Sequence, residues 1–316
     1  MKLLISITGA LAVAAIVAAS AVAMPTGFSG WSDATRVEDQ PGTPASFNGD
    51  GLDGCPFIAR DERTFYMASV RPGGLGGIDI WVSHRESPHD PWGAPENAGA
   101  PVNSPANDFC PTIDRNDHTL FFVSNRAGGC GGADVYVTRH RPDGWDDPRN
   151  LGCEVNSAAD EAGPFPLPEP GKGKVLYFSS ARPGGFAPEA AGATVGDSDL
   201  YVSERQGGVY QAPQLVPGAN SAFEDGQPNI RRDAKEIFFF SNRPGTLGLA
   251  DIYAANRAST SHPWSQPFNL GPAVNSPNGA ETRPSLSWDG TTLYFGSTRP
   301  GGDGGADHYM TTRSLD

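Results

Sequence analysis

The amino-acid sequence predicts an all-β chain, a five-bladed β-propeller closed by an N-terminal strand, on three observations. One phrase is written five times: Ser69-Val70-Arg71-Pro72-Gly73-Gly74 leads to Asp79-Ile80-Trp81, and its counterparts carry Arg126 and Asp134, Arg182 and Asp199, Arg243 and Asp251, and Arg299 and Asp307. Successive arginines stand 55, 56, 61 and 56 positions apart, a period that belongs to propellers and repeat arrays. Each repeat also holds four strand-like pieces, the number in one blade. Finally, the fifth repeat reaches Asp316 without its outer piece, and residues 30–37 offer an equivalent, aromatic-led piece at the other end of the chain.

Composition agrees with this class. The 316 residues include 40 Gly and 29 Pro, too many turn formers for a helical protein, while 38% apolar residues suffice for a core. The formal net charge is -13 and no lysine or arginine cluster stands out, so nucleic acid is not an expected partner.

Taken in order, Met1-Lys2 precedes an Ala/Val/Ile-rich run ending in Ala21-Val22-Ala23, which reads as a secretory signal peptide over residues 1–23. A membrane anchor is the rival reading, against which Ser6, Thr8, Gly9 and Ser20 interrupt the apolar run. Residues 24–316 then form a single propeller domain, periplasmic or secreted, with no membrane insertion after cleavage. Residues 30–37 are the closing strand, and the blades occupy about 53–104, 108–157, 161–221, 225–276 and 281–316. In the second, Asp108-Phe109-Cys110-Pro111-Thr112-Ile113 and Leu120-Phe121-Phe122-Val123 flank a polar turn as a hairpin, and Asp134-Val135-Tyr136-Val137-Thr138 follows the Gly-rich loop. Trp92, Trp145, Tyr210 and Trp264 are expected to begin the outer strands of blades one to four, each three residues before a proline that an edge strand tolerates.

Four cysteines suit an oxidising compartment. Cys130 lies in a Gly-rich loop and Cys153 follows the last strand of the same repeat, whereas Cys55 and Cys110 hold equivalent positions in neighbouring repeats. The economical pairing joins Cys130 to Cys153 and Cys55 to Cys110; four free thiols are the alternative.

Two recurring features bear on function. The arginine of each loop and the aspartate opening the next strand bring opposite charges to one hairpin, an expected clamp on a turn with little rigidity of its own. An acid also stands three residues before a proline at the start of every inner strand: Asp53, Asp108, Glu161, Asp225 and Glu281. Inner strands line the axis, so these carboxylates are candidate binding residues at the channel mouth, on the face that carries the Gly-rich loops; capping of backbone N–H groups is their other reading. Between acid and proline stand Cys55, Cys110, Gly163, Gln227 and Arg283, so Gln227 and Arg283 join the candidate binding set. Blade three carries an insertion over residues 186–198 that should overhang this face. His308 replaces an apolar residue of the other blades and is read as a hydrogen-bonded packing residue. Asn48-Gly49-Asp50-Gly51-Leu52-Asp53 is oxygen-rich but lacks EF-hand register, so calcium is the one cofactor the sequence suggests and none is otherwise expected.

Leu120-Phe121-Phe122-Val123-Ser124-Asn125-Arg126 and Leu293-Tyr294-Phe295-Gly296-Ser297-Thr298-Arg299-Pro300-Gly301-Gly302, each followed by Asp and an aromatic, resemble the WD-like β-propeller repeats of the TolB type. The resemblance covers nearly all of the chain after residue 23. It implies a protein-binding or glycan-linked role, since propellers of that superfamily serve as periplasmic binding modules, partners of peptidoglycan-binding domains, gating propellers of peptidases and polysaccharide lyases. The five repeats leave no room for the N-terminal α/β domain of TolB itself.

Enzyme signatures are absent: there is no G-x-S-x-G, H-E-x-x-H, C-x-x-C or phosphate loop, and the six histidines share no repeat position. The expectation is an exported binding or scaffolding module that presents an acidic channel mouth and Gly-rich loops to an envelope protein or glycan. The alternative is a polysaccharide hydrolase or lyase using carboxylates at the mouth.

Overall fold

Apolar runs bounded by Gly, Pro and Asp turns fold into five antiparallel sheets around one axis. The computed structural model describes residues 27–116, 118–186 and 197–315. The expected signal peptide, and all of the blade-three insertion but its two ends, lie outside them. From axis to rim, blade one is Asp53–Ile58, Thr64–Ser69, Asp79–His84 and Glu96–Asn97; blade two is Asp108–Ile113, Thr119–Ser124, Asp134–Arg141 and Arg149–Asn150. Blade three is Glu161–Glu169, Gly173–Ser180, Asp199–Gln206 and Gln214–Leu215, and blade four is Asp225–Ile230, Glu236–Ser241, Asp251–Asn256 and Phe268–Asn269. Blade five takes Glu281–Leu286, Thr292–Ser297 and Asp307–Thr312 from the end of the chain and Thr35–Arg36 from its beginning. Each inner strand touches that of the next blade, and the fifth touches the first.

Closure places Thr35 opposite Met310 and Arg36 opposite Tyr309, with a bridge from Phe28 to Leu315 beyond it. The pairing gives blade five a fourth strand and covers an otherwise open sheet edge. Trp31 turns toward blade four, edge-on to Phe238 at 6.0 Å, with the Arg313 guanidinium 4.4 Å from its ring.

The outer strands depart from expectation. In blades one to four a two-residue strand begins four residues beyond the aromatic, at Glu96, Arg149, Gln214 and Phe268. Trp145 and Tyr210 themselves lie in further two-residue strands, Gly144–Trp145 and Val209–Tyr210, that pair with the third strands of blades two and three. Trp92 and Trp264 lie outside any strand, and they and Tyr210 are buried between blades, because an aromatic gains far more from a dry core than from a rim strand. Trp92, for example, sits 5.3 Å from the Phe65 ring.

The acid-x-x-Pro phrase has a backbone cause. In every inner strand the register slips between the residue after the acid and the residue after the proline, as between Gly54 and Phe57. The residue at the slip is left-handed in all five blades, with φ of 49° at Cys55 and Cys110, 55° at Gly163, 52° at Gln227 and 59° at Arg283. These are β-bulges, and the proline falls where a bulged ladder needs no N–H.

Candidate functional site

On the Gly-rich face the sheet register lines up acid, serine and aspartate across three strands, as in Asp53, Ser69 and Asp79. The loop arginine, two residues after the serine, reaches back to the inner acid and not forward to the aspartate. Arg71 Nη2 lies 2.7 Å from Asp53 Oδ1 and Arg126 Nη2 2.6 Å from Asp108 Oδ1. Arg182–Glu161 and Arg299–Glu281 are 3.2 Å apart, and Arg243 pairs with Asp225. Each arginine also donates Nε–H to its serine at 2.9 Å and an Nη2–H to a backbone carbonyl of the preceding inter-blade segment.

The expected pairing of arginine with the following aspartate is therefore corrected. Those aspartates cap the glycine loop instead: Asp251 accepts from Leu247 N–H at 2.6 Å and from Asn269 Nδ2 at 2.6 Å. A Cβ on Gly302 would fall 1.7 Å from Asp307 Oδ2, so that glycine is required for the carboxylate to enter the loop. Asp199, in the same role, is pushed up to about 6 by burial.

The five inner acids are fully buried. Their second oxygens accept backbone N–H groups, such as Ser104 N on Asp108 at 2.6 Å and Ser276 N on Glu281 at 2.7 Å. A buried carboxylate must be paired or hydrogen-bonded, and each is satisfied by the loop arginine of its own blade together with the segment that leads in from the preceding one. The acids accordingly do not form an exposed acidic mouth, and it is the other reading of the sequence, capping of backbone N–H groups, that the structure shows.

Asn48 likewise has a structural explanation. Its Oδ1 accepts the backbone N–H of His308 at 2.9 Å, as Asn103, Asn156, Asn220 and Asn275 do for Ile80, Val135, Leu200 and Ile252. The oxygen-rich segment begins with the fifth copy of this asparagine. The signal was in the sequence as Val102-Asn103-Ser104, Val155-Asn156-Ser157 and Val274-Asn275-Ser276. No cluster of three metal-ligating side chains occurs among the described residues. His308 is fully buried, with Nδ1 3.1 Å from Asn48 Oδ1 and Nε2 3.3 Å from the Gly54 carbonyl, and burial pushes its pKa well down.

The bulge residues line the axial channel. Cys55 and Cys110 are joined there as a disulfide, and a second disulfide joins Cys130 to Cys153. Gln227 Nε2 reaches Cys110 Sγ at 3.4 Å, and Arg283 has no ion-pair partner among the described residues. Phe57 and Phe165, with ring centroids 6.5 Å apart, narrow the channel.

Beyond them the opposite mouth is basic. Arg60, Arg115, Arg232 and Trp288 occupy the same turn in blades one, two, four and five, two residues past the last apolar residue of each inner strand. Their guanidinium carbons stand 5.1, 4.7 and 5.9 Å from the Trp288 ring. From Arg115 a cleft of about 490 Å³ runs between blades two and three, walled by Phe121, Val137, Leu151, Leu167 and Tyr210 and edged by Arg139, Arg149, Lys174 and Arg205. None of these seven cations forms an ion pair among the described residues. Among the described residues the carboxylate lining the cleft is Asp114, whose Oδ1 accepts from the N–H groups of Asn116, His118 and Thr119. The sequence reading, which noted no basic cluster, missed this one because its members lie in different repeats; aligning the turns at 60, 115, 232 and 288 exposes it.

No family model and no curated protein matches the chain. Solved structures share its fold. An α-L-arabinofuranosidase from Lactobacillus brevis superposes with a TM-score of 0.58 at 13% identity, covering 88% of this chain and 94% of its own. An endo-arabinase from Bacteroides thetaiotaomicron gives 0.57 at 15%, covering 87% and 97%. A TolB from Acinetobacter baumannii gives 0.48 at 12%, covering 84% and 55%, too loose an overlay to carry an argument. At these identities the likeness establishes a five-bladed propeller fold and nothing finer.

Proposed function

We propose that this chain is an exported, non-catalytic propeller that binds an anionic glycan across the basic mouth and the adjoining cleft. The observation that carries the reading is the set of seven cations without ion-pair partners among the described residues, three of them around Trp288 and four along the adjoining cleft, on a chain whose formal charge is -13. Arginine forks recognise carboxylates bidentately, and an aromatic face offers an apolar platform to a sugar ring. Export is supported by the N-terminal composition and by two disulfides, which favour an oxidising compartment.

Hydrolysis is the second reading, favoured by the overlay on an α-L-arabinofuranosidase and an endo-arabinase across about nine-tenths of both chains. It requires two carboxylates facing the substrate. The inner-strand acids of this chain are instead committed to arginines.

Affinity electrophoresis and titration calorimetry with polygalacturonate, alginate and neutral arabinan, alongside a reducing-end assay, test the proposal. Retention by the acidic polymers, weakening as salt rises, with no new reducing ends, is the expected result. Release of sugar from arabinan, or equal retention of charged and neutral polymers, would replace it with the hydrolase reading.

A further inference from the structure

In three blades the end of the third strand is held by an arginine that blade two lacks. The backbone N–H groups of Arg85, His140, Arg257 and Arg313 donate to the carbonyls of Arg63, His118, Lys235 and Thr291, so the four residues hold one repeat position. Arg85, Arg257 and Arg313 also donate Nε–H to a turn carbonyl, at 2.7, 2.6 and 2.8 Å. Their guanidinium carbons lie 4.1, 4.1 and 4.4 Å from the rings of Trp92, Trp264 and Trp31. His140 is too short for that clamp and meets Trp145 edge-on at 4.9 Å. Trp145 stays only half-buried, where Trp92 and Trp264 are 1% and 4% exposed.

Trp145 and His140 line a groove of about 400 Å³ between blades one and two, together with Tyr66, His84, Asp61 and Glu96. The groove starts beside the basic mouth, since Ala59 and Asp61 flank Arg60, and runs along the opposite side of blade two from the basic cleft. No lysine or arginine lines it among the described residues. Asp61 is committed to its own turn, accepting from Arg63 N–H at 2.8 Å and from Thr64 N–H at 3.2 Å. The exposed side chains of Glu96 and His84 make no hydrogen bond or ion pair among the described residues.

Hydrogen-bonding capacity separates the two clefts. Arginine and lysine only donate, which suits a carboxylate, whereas Glu96 accepts and each neutral imidazole offers one donor and one acceptor. A sugar hydroxyl both gives and takes a hydrogen bond, and the C–H face of a sugar ring packs on an indole. The groove has no cation to meet an acidic sugar, and no three metal-ligating side chains come together there.

We propose that the groove between blades one and two binds an uncharged sugar unit, with Trp145 as its platform and Glu96, His84 and His140 as partners of its hydroxyls. That one polymer carrying acidic and neutral units crosses both clefts rests on the glycan reading above; the neutral site itself does not.

The test is titration calorimetry of the full chain with neutral galacto- and xylo-oligosaccharides at high salt, where attraction to the basic cleft is screened. Binding that does not weaken with salt is expected. Trp145→Ala and Glu96→Ala should each lower the affinity about tenfold, and Arg205→Ala should leave it unchanged. Absence of binding by both oligosaccharides, or wild-type affinity in both Trp145→Ala and Glu96→Ala, would overturn the proposal. Should Trp145→Ala fail to fold, Glu96→Ala decides it, because that side chain is exposed. Polygalacturonate run in parallel at low salt tells the two readings apart. Its failure to bind while the neutral sugars do removes the anionic-glycan reading and leaves this one, and the reverse pattern removes this one alone.

Discussion

Arg126 Nη2 lies 2.6 Å from Asp108 Oδ1, and this one pair, repeated in every blade, explains why five acids can sit fully buried beside the propeller axis. The arginine is held by Ser124 Oγ on one side and the Val102 carbonyl on the other, and lies 5.2 Å from the Phe122 and Tyr136 rings. One side chain thus joins two strands, the Gly-rich loop and the inter-blade segment.

Removing one partner leaves a buried charge. Arg126→Ala or Asp225→Ala should each cost about 3–5 kcal/mol, read as a lower midpoint in denaturant unfolding, while retention on acidic polysaccharide by the folded fraction stays unchanged. A loss of retention with normal stability would move these residues from the scaffold to the binding site.

Asp251→Ala should act differently, because it uncaps the loop residues Leu247 and Gly248 and frees Asn269 without orphaning an arginine. A cost of about 1–3 kcal/mol is expected. Amide hydrogen exchange should show faster exchange confined to the blade-four loop.

Deleting residues 30–37 removes the closing strand and Trp31. Blade five then exposes the edge of Asp307–Thr312, and chemical unfolding should report a loss of several kcal/mol together with concentration-dependent association. An unchanged unfolding curve would remove the closure.

Stability should carry two opposed pH slopes. His308, whose folded pKa is pushed below its ordinary 6.5, stays neutral while the unfolded chain takes a proton, so stability falls as pH drops below about 6.5. Asp199, raised from 3.8 to about 6, keeps its proton when the unfolded chain has lost it, so its contribution falls as pH rises through that interval. His308→Val, the residue type of blade two at this position, should flatten the first slope in melting experiments across pH, and Asp199→Asn the second.

On the basic face, Arg115→Ala or Arg205→Ala should weaken binding of acidic polymers and reduce its salt dependence, whereas Trp288→Phe should weaken binding and leave the salt dependence in place. If all three variants retain wild-type affinity in calorimetry, the cleft is not the glycan site.

The sequence alone determined the blade count, the four-strand repeat and the closing strand, because each blade solves the same local problem: apolar runs of strand length, a glycine turn and an acid before a proline recur at fixed spacing. It also marked Arg283 and Gln227 as departures from the repeat at the inner position. Partnership was decided only by tertiary structure. From the phrase alone Arg71 is nearer in sequence to Asp79 than to Asp53, but sheet register places Asp53, Ser69 and Asp79 side by side, and the aspartate's oxygens are consumed by the glycine loop. Likewise Arg60, Arg115 and Arg232 are charges scattered far apart among a majority of acids, and become a site only when the ring brings equivalent turns together around Trp288. Spacing along a chain reports which element a residue occupies; which charges meet depends on strand register and on the closing of the ring, and neither is written within one repeat.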